Sequence, residues 1–431
     1  MKTLFKNADI LLFENGIYNV IKNAYLAVDG DKISYIGKDE PSDSFDETKD
    51  IHGKLLMSGF YNCHNHCPMV LLRGVGSDLP LNEWLFNKVF PIEDKLTAEE
   101  IEAGTKLALL EMLAGGTVSF SDMYFEPQVT ARAVSDSGMK ANLTRPVQSF
   151  DPNEEPKDSF RIAQSLELYN EWNKAENDRI LIDFSIHAEY TCTEKIARAY
   201  IEECNKRSGN LHIHLSETVK EHNECKEKYG KTPTEWFNAL GAFDSRAFAA
   251  HCVTLEDSDM DIILQKGVNV VHNPTSNMKL GSGFARIPKM LDMGINVALG
   301  TDGAASNNNL DMLEEIHLAS VIHNGYMQDA TVMNADTVIK MATINGALLQ
   351  GRDDCGELKV GNKADIIATS LDKPHLRPII DEKALITYSA QSSDIYMTMV
   401  DGKVLYENGE YKTLDKEKIY YDIEKAIKKL Y

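Results

Sequence analysis

The stretch SGFYNCHNH, Ser58 to His66, sets His64 and His66 one residue apart behind a short apolar run, Leu55 to Met57. In a strand, residues i and i+2 point to one face, so both imidazoles can chelate a single cation; on a helix the same pair diverges. His-x-His alone is weak evidence, because histidines also sit in cores as satisfied polar groups. The chain carries further groups of the right type at the ends of later apolar runs. HLSE supplies His214 with Glu217 three residues on, another run ends at His251, and ALGTDG places Asp302 just past a third. Three neutral imidazoles (His64, His66, His214) and the Asp302 carboxylate make a set suited to one divalent ion per chain: Zn²⁺ first, with Fe²⁺, Mn²⁺ or Ni²⁺ as alternatives. Such an ion lowers the pKa of bound water from ~15.7 toward roughly 7. Glu217 is then the candidate general acid/base. Its bland reading is a solvated acid at the start of the helix-like stretch 218–229. His251 is a candidate to hold and deprotonate the water, against a satisfied core imidazole; Asp302 could bind metal and also accept a hydrogen bond from the water.

Groups so far apart in sequence need a scaffold that gathers strand ends. Eight apolar, β-branched runs recur: Leu55–Cys63, Thr117–Met123, Ala141–Val147, Ile180–His187, Asn210–Leu215, Ala247–Val253, Val268–His272 and Ile295–Gly300. Stretches of helical period separate them, among them Ala98–Ala114, Ser159–Lys174, Glu194–Lys206 and Asp311–His323; the second and third crossovers are the least clear. This alternation predicts an α/β chain with a (β/α)8 TIM-type barrel over residues 56–355, whose active residues gather at the C-terminal strand ends. Residues 1–55 and 356–431 read as short strands with Asp29-Gly30-Asp31 and Asp401-Gly402 turns. They are expected to pair into one small β-sandwich beside the barrel, since two separate flanking units would each be very small. The last stretch, DKEKIYYDIEKAIKKLY, reads as a surface helix.

The formal charge of −21 is spread along 431 residues without a long single-sign run, which argues against nucleic acid or an anionic membrane as main partner. No segment approaches eighteen uncharged apolar residues, and the N-terminal apolar stretch is broken by Asp9 and Glu14, unlike a signal peptide. Seven cysteines, at 63, 67, 192, 204, 225, 252 and 355, form no CxxC pair. Free thiols in a reducing cytoplasm are expected, with Cys63 and Cys67 as small packing residues beside the histidines. A homo-oligomer is left open.

The words SGFYNCHNHCPMVLLRG, HIHLSET, VVHNPTSNMKLGSG and ALGTDGAASNNNLDM make the chain resemble the amidohydrolase superfamily, most nearly the 5′-methylthioadenosine/S-adenosylhomocysteine deaminases. The resemblance runs essentially end to end. It implies that His64, His66, His214 and Asp302 hold zinc and that Glu217 and His251 handle protons. It further suggests Glu93, in FPIEDKLT, for the ribose hydroxyls, with Arg145 in NLTRPV, His187 in SIHAEY and Trp84 in LNEWL as other substrate contacts. Taken singly these have bland readings: a helix-capping acid, a surface ion pair, a buried imidazole, a core aromatic. One loop departs from the pattern. Relatives often add an arginine after the third strand to hold an amino-acid tail, whereas DPNEEPKDSFR offers Lys157 or Arg161 amid four acids. A lysine lacks the planar fork that grips carboxylate, so homocysteine-bearing, methylthio and plain adenosines are not ranked.

The expected reaction is hydrolytic removal of the 6-amino group of an adenosine-type nucleoside: water adds at C6, Glu217 protonates N1, and ammonia leaves an inosine-type product. Alternatives are another amino-heterocycle such as guanine, or a non-catalytic scaffold, though scaffolds usually lose ligands and this chain keeps all four. The zinc deaminase design H-x-E with PCxxC fails, since His187-Ala188-Glu189 has no PCxxC after it. A binuclear cyclic-amide hydrolase would want a bridging lysine where His187 stands. No GxxxxGK[ST] or GxGxxG loop is present.

Overall fold

The computed structural model describes residues 1–79 and 81–431, and the side chains of all of these except Leu81 and Asn82. The N-terminal strands are β1 (Lys2–Glu14), β2 (Ile17–Asp29), β3 (Lys32–Gly37), β4 (Glu47–Asp50) and β5 (Lys54–Ser58). A four-stranded parallel sheet follows: β6 (Phe60–Asn65), β7 (Thr117–Met123), β8 (Lys140–Thr144) and β9 (Ile180–Ile182). Five more parallel strands form the next sheet: β10 (Phe184–Ile186), β11 (Asn210–Leu215), β12 (Arg246–His251), β13 (Asn269–His272) and β14 (Val297–Leu299). β15 (Ile366–Ser370), β16 (Ile395–Val400), β17 (Lys403–Glu407) and β18 (Glu410–Tyr411) complete the strands among the described residues.

The apolar run around Met57 is two strands, not one. Lys54–Ser58 pairs antiparallel with β15, while Phe60–Asn65 pairs parallel with β7. The break falls at Gly59, where a Cβ would lie 2.2 Å from Val118 Cγ1, so only glycine lets the chain pass between the sheets. The β5–β15 pairing joins the two chain ends in a nine-stranded sheet ordered β18-β17-β16-β15-β5-β1-β2-β3, with β4 on β1. A hydrophobic cluster of its own includes Phe5, Leu26, Ile33, Leu56, Ile366 and Met397. Below the parallel strands, buried Lys140 is ion-paired to Asp365 and Asp401, tying β8 to that sheet with a charge that burial would otherwise penalise.

Strands β7 and β11 and the helices Ala98–Ala114 and Glu194–Lys206 have the boundaries expected from periodicity. The run Ile180–His187 divides at Asp183, whose side chain leaves the ladder to accept from Asn142 (2.9 Å) and Asn210 (3.2 Å). A helix at Pro127–Ser137 fills the second crossover. The final helix, Lys416–Leu430, is more than a surface element. It buries Ile419, Ala426 and Leu430 and shares a cluster with Met69, Trp84 and Tyr124, beneath one wall of the cavity described next. Among the described residues, no helix is long and apolar enough to cross a membrane.

Candidate active site

His64 and His66 stand at the end of β6, His214 at the end of β11, His251 at the end of β12, and Asp302 just past β14. Parallel pairing sets these ends side by side. His64 is wholly buried, and its Nε2 lies 3.5 Å from Asp302 Oδ1, which is also 3.3 Å from His66 Nε2. The Nε2 atoms of His66 and His214 are 3.3 Å apart. Each of these two rings gives its Nδ1–H to a backbone carbonyl: His66 to Met123 (2.6 Å) and His214 to His187 (2.8 Å). A neutral imidazole so held must present a lone pair on Nε2. Two lone pairs at that separation repel unless a cation, either a proton or a metal ion, sits between them. Among the described residues, buried His64 Nε2 has no hydrogen-bond partner, which is costly unless something ligates it. Ligand atoms of His64, His66 and His214 all fall within 4.8 Å of one another, as do those of His64, His251 and Asp302. The donor set therefore fits a divalent ion of the zinc type.

Asp302 is locked for this task. Its Oδ2 accepts from Ser276 Oγ (2.6 Å) and Ser306 Oγ (2.8 Å), and its Oδ1 from the Gly303 N–H (2.7 Å). Its backbone is left-handed at φ +60°, as is that of His251 at +74°, a strain that persists only where surroundings over-determine it. Burial pushes the Asp302 carboxyl up, but His64 and His66 outweigh that and hold it well below the usual range. In the same cluster burial lowers His66, yet Asp302 raises it to about 9.

Glu217 is not the helix-terminal acid that its position suggested. The helix Val219–Tyr229 is capped by Thr218 and Glu221, and Glu221 also accepts the backbone N–H groups of Ser216 (2.8 Å) and Glu217 (2.7 Å). That frees the Glu217 side chain to face His251, with Oε2 4.0 Å from its Nε2, while Ser282 Oγ reaches Oε1 at 3.4 Å. Burial raises its carboxyl above the ordinary value, suiting a group that must carry a proton near neutrality. His251 gives its other nitrogen to Asn277 Oδ1 at 2.9 Å.

A cavity of about 460 Å³ opens over these groups, lined among others by Trp84, Glu93, Tyr124, Arg145, His187 and Arg161. All four substrate contacts suggested by the resemblance thus face one space. Trp84 is fixed by its indole N–H on Val75 O (3.0 Å), and Arg145 is buried, not a surface ion pair, with Nε on Gln164 Oε1 (2.9 Å). Burial, then the neighbouring Arg161, lower the Arg145 guanidinium to about 10. Burial first, then the other histidines, hold His187 down at about 3. A second cavity of about 530 Å³, at the other strand ends around Lys140, Asp183 and Arg246, contains none of the expected site residues.

Two neighbours escaped the motif reading. His212, two residues before His214, meets His64 Nδ1 through its Nε2 at 2.9 Å and stacks on Phe248. Tyr124, just past β7, bonds Glu93. The i, i+2 rule that pairs His64 with His66 applies equally to His212 and His214, and could have found the first. Nothing local marks the second.

A model described as "Amidohydrolase family" matches residues 55–405. A 5-methylthioadenosine/S-adenosylhomocysteine deaminase of Acetivibrio thermocellus is 44% identical over 435 residues, spanning 100% of both chains. A 5′-deoxyadenosine deaminase of Methanosarcina acetivorans is 41% identical over 427 residues, 99% of this chain and 98% of the relative. Among solved structures, an adenosine deaminase from Xanthomonas campestris with bound zinc matches with a TM-score of 0.93 at 28% identity, covering 99% of this chain and 98% of that one. With a match across the strand ends that carry the histidines and relatives similar over their whole length, the chain belongs to the amidohydrolase family.

Proposed function

We propose that the chain is a metal-dependent hydrolytic deaminase of adenosine-type nucleosides, releasing ammonia and the inosine-type product. The observation that carries this is the convergence of three histidine Nε2 atoms and Asp302 Oδ1 beneath a cavity holding Glu217 and Glu93. His64, His66, His214 and Asp302 would hold the ion, Zn²⁺ by preference, as in the zinc-bound relative. Bound there, a divalent ion acidifies water and supplies a nucleophile at neutral pH. Glu217 delivers a proton to N1 of the purine as oxygen adds at C6, because its buried carboxyl is protonated more readily than an exposed one. His251 takes the proton released from the water while Asp302 accepts a hydrogen bond from it. At collapse that proton passes to the amino group, which leaves as ammonia, and the C6 hydroxyl proton returns to Glu217. Trp84 and His187 line the path of the base, and Glu93 accepts from the ribose hydroxyls.

Arg145 and Arg161 both line the cavity, whereas Lys157 is absent from its described lining. Two guanidinium groups at one end suit a carboxylate bidentately. This favours Arg161 over Lys157 as the partner of Arg145, and a substrate with an amino-acid tail, S-adenosylhomocysteine, among those accepted. Ammonia release measured over adenosine, 5′-methylthioadenosine, S-adenosylhomocysteine, guanine and adenine tests the assignment; a preference for either free base would overturn it.

We further propose that the two parallel sheets close into a (β/α)8 barrel over residues 56–355, counting β9 and β10 as one strand broken at Asp183. The Asp302 N–H on His64 O (2.9 Å) supports one seam and the Val147 N–H on Ser185 O (2.8 Å) the other. Residues 1–55 and 356–431 would fold as one sandwich, supported by the bulges of β1 and the separate cluster around Phe5. Free, buried cysteines support a reducing cytoplasm as the setting. A small nucleoside is the proposed partner, with neither nucleic acid nor membrane involved.

A further inference from the structure

Strand β7 ends at Met123, whose carbonyl holds His66. The next residue, Tyr124, is buried at 3% exposure, with its ring 4.1 Å from that of Phe125 and 6.5 Å from that of His66. Its hydroxyl donates to Glu93 Oε1 at 2.6 Å. Among the described residues this is the one hydrogen bond that the Glu93 carboxylate makes, and Oε2 has none. Glu93 ends a four-residue helix, Phe90–Glu93, which follows a π-helical turn at Leu85–Val89. So short an element does little to fix a side chain with three rotatable bonds, and Tyr124 supplies the constraint from a rigid strand end.

We propose that Tyr124 is the positioning residue for ribose recognition: its hydroxyl fixes the Glu93 carboxylate as an oriented acceptor for the sugar hydroxyls. The proposal rests on the reading of Glu93 as the ribose contact. A neutral phenol can only help in this way while it keeps its proton, and burial followed by the charge of Glu93 pushes the Tyr124 phenol well up. The bond occupies one lone pair of Oε1 and leaves the rest of the carboxylate as acceptor. Because Tyr124 and Met123 are adjacent, the sugar-binding acid and the His66 imidazole are referenced to the same strand end. That spacing selects a ligand carrying a sugar at a set distance from its reacting ring, which a free base lacks.

The test is Tyr124→Phe, which keeps the ring and its contact with Phe125 and removes the hydroxyl. KM and kcat are measured for adenosine and for 2′,3′-dideoxyadenosine, with metal content determined alongside. The expected result is a KM for adenosine raised roughly 5- to 30-fold, with kcat, metal content and the dideoxy KM within about twofold of the parent. In a Glu93→Gln background the same substitution should no longer change the preference for adenosine over the dideoxy compound. Equal losses for both compounds, or no loss for adenosine, would overturn the proposal. A parent enzyme that shows no preference for the ribose compound would remove the Glu93 reading, and this inference with it.

Discussion

Glu217→Gln separates proton transfer from every other role of that residue. The amide keeps the size and shape of the side chain but has no proton to give to N1. The structure says what else the change would disturb, and it is little. The loop is held by Glu221 through the backbone N–H of Glu217, which glutamine retains. The side chain's own contacts are long, 3.4 Å to Ser282 Oγ and 4.0 Å to His251 Nε2, and it belongs to neither group of converging ligand atoms. Burial already raises this carboxyl, so replacing it by a neutral amide removes an ionisation cost and should leave the melting temperature unchanged or higher. The loss should therefore fall on kcat, by roughly 10²–10⁴, or about 3–5 kcal/mol of barrier. Turnover of adenosine is followed by purine absorbance and metal content by elemental analysis. Near-normal turnover would refute the assignment, and so would a fall in kcat that tracks lost metal.

Three further substitutions probe the surroundings. His212→Gln should weaken metal affinity by roughly 10- to 100-fold while metal-saturated kcat stays within a few-fold, read by competition with a chelator. Arg161→Ala should raise KM for S-adenosylhomocysteine by roughly 10-fold or more and leave adenosine within about twofold, read by ammonia release. Glu315 is fully buried, accepting from Thr275 N–H (3.2 Å) and Asn307 Nδ2 (2.7 Å), and burial raises its carboxyl to about 8. In the window between the ordinary carboxylate value and 8 the unfolded chain binds fewer protons than the folded one, so this group's contribution to stability falls as pH rises. Each pKa unit is worth about 1.4 kcal/mol, and Glu315→Gln should therefore gain melting temperature relative to the parent between pH 5 and pH 8; a constant difference would refute this.

Much of the site is legible in the sequence because its chemistry is local. His64 and His66 share a strand face by simple alternation, and His214 with Glu217 or Asp302 with Gly303 lie at run ends that periodicity exposes. Strands β7 and β11 are recovered to the residue, since both are uniformly buried and bounded by clear breaks. The missing parts depend on contacts across the fold. Gly59 divides one apolar run between two sheets because Val118 crowds it, and nothing in the run itself marks that. Asp183 interrupts another because Asn142 and Asn210 come from neighbouring strands. The capping role of Glu221, which leaves the Glu217 side chain free, depends on backbone contacts to Ser216 and Glu217 that no spacing shows. The bond between Tyr124 and Glu93 joins residues 31 apart through an irregular segment, beyond the reach of any spacing rule.

The central claim is that one divalent ion, held where the Nε2 atoms of His66 and His214 approach to 3.3 Å beside Asp302, enables deamination of an adenosine-type nucleoside. Titrating zinc into chelator-treated protein while following conversion of adenosine to inosine tests it most directly. Activity should be absent without metal, rise linearly and saturate at one equivalent per chain. Full activity in the metal-free protein, or saturation only at two equivalents, would contradict it.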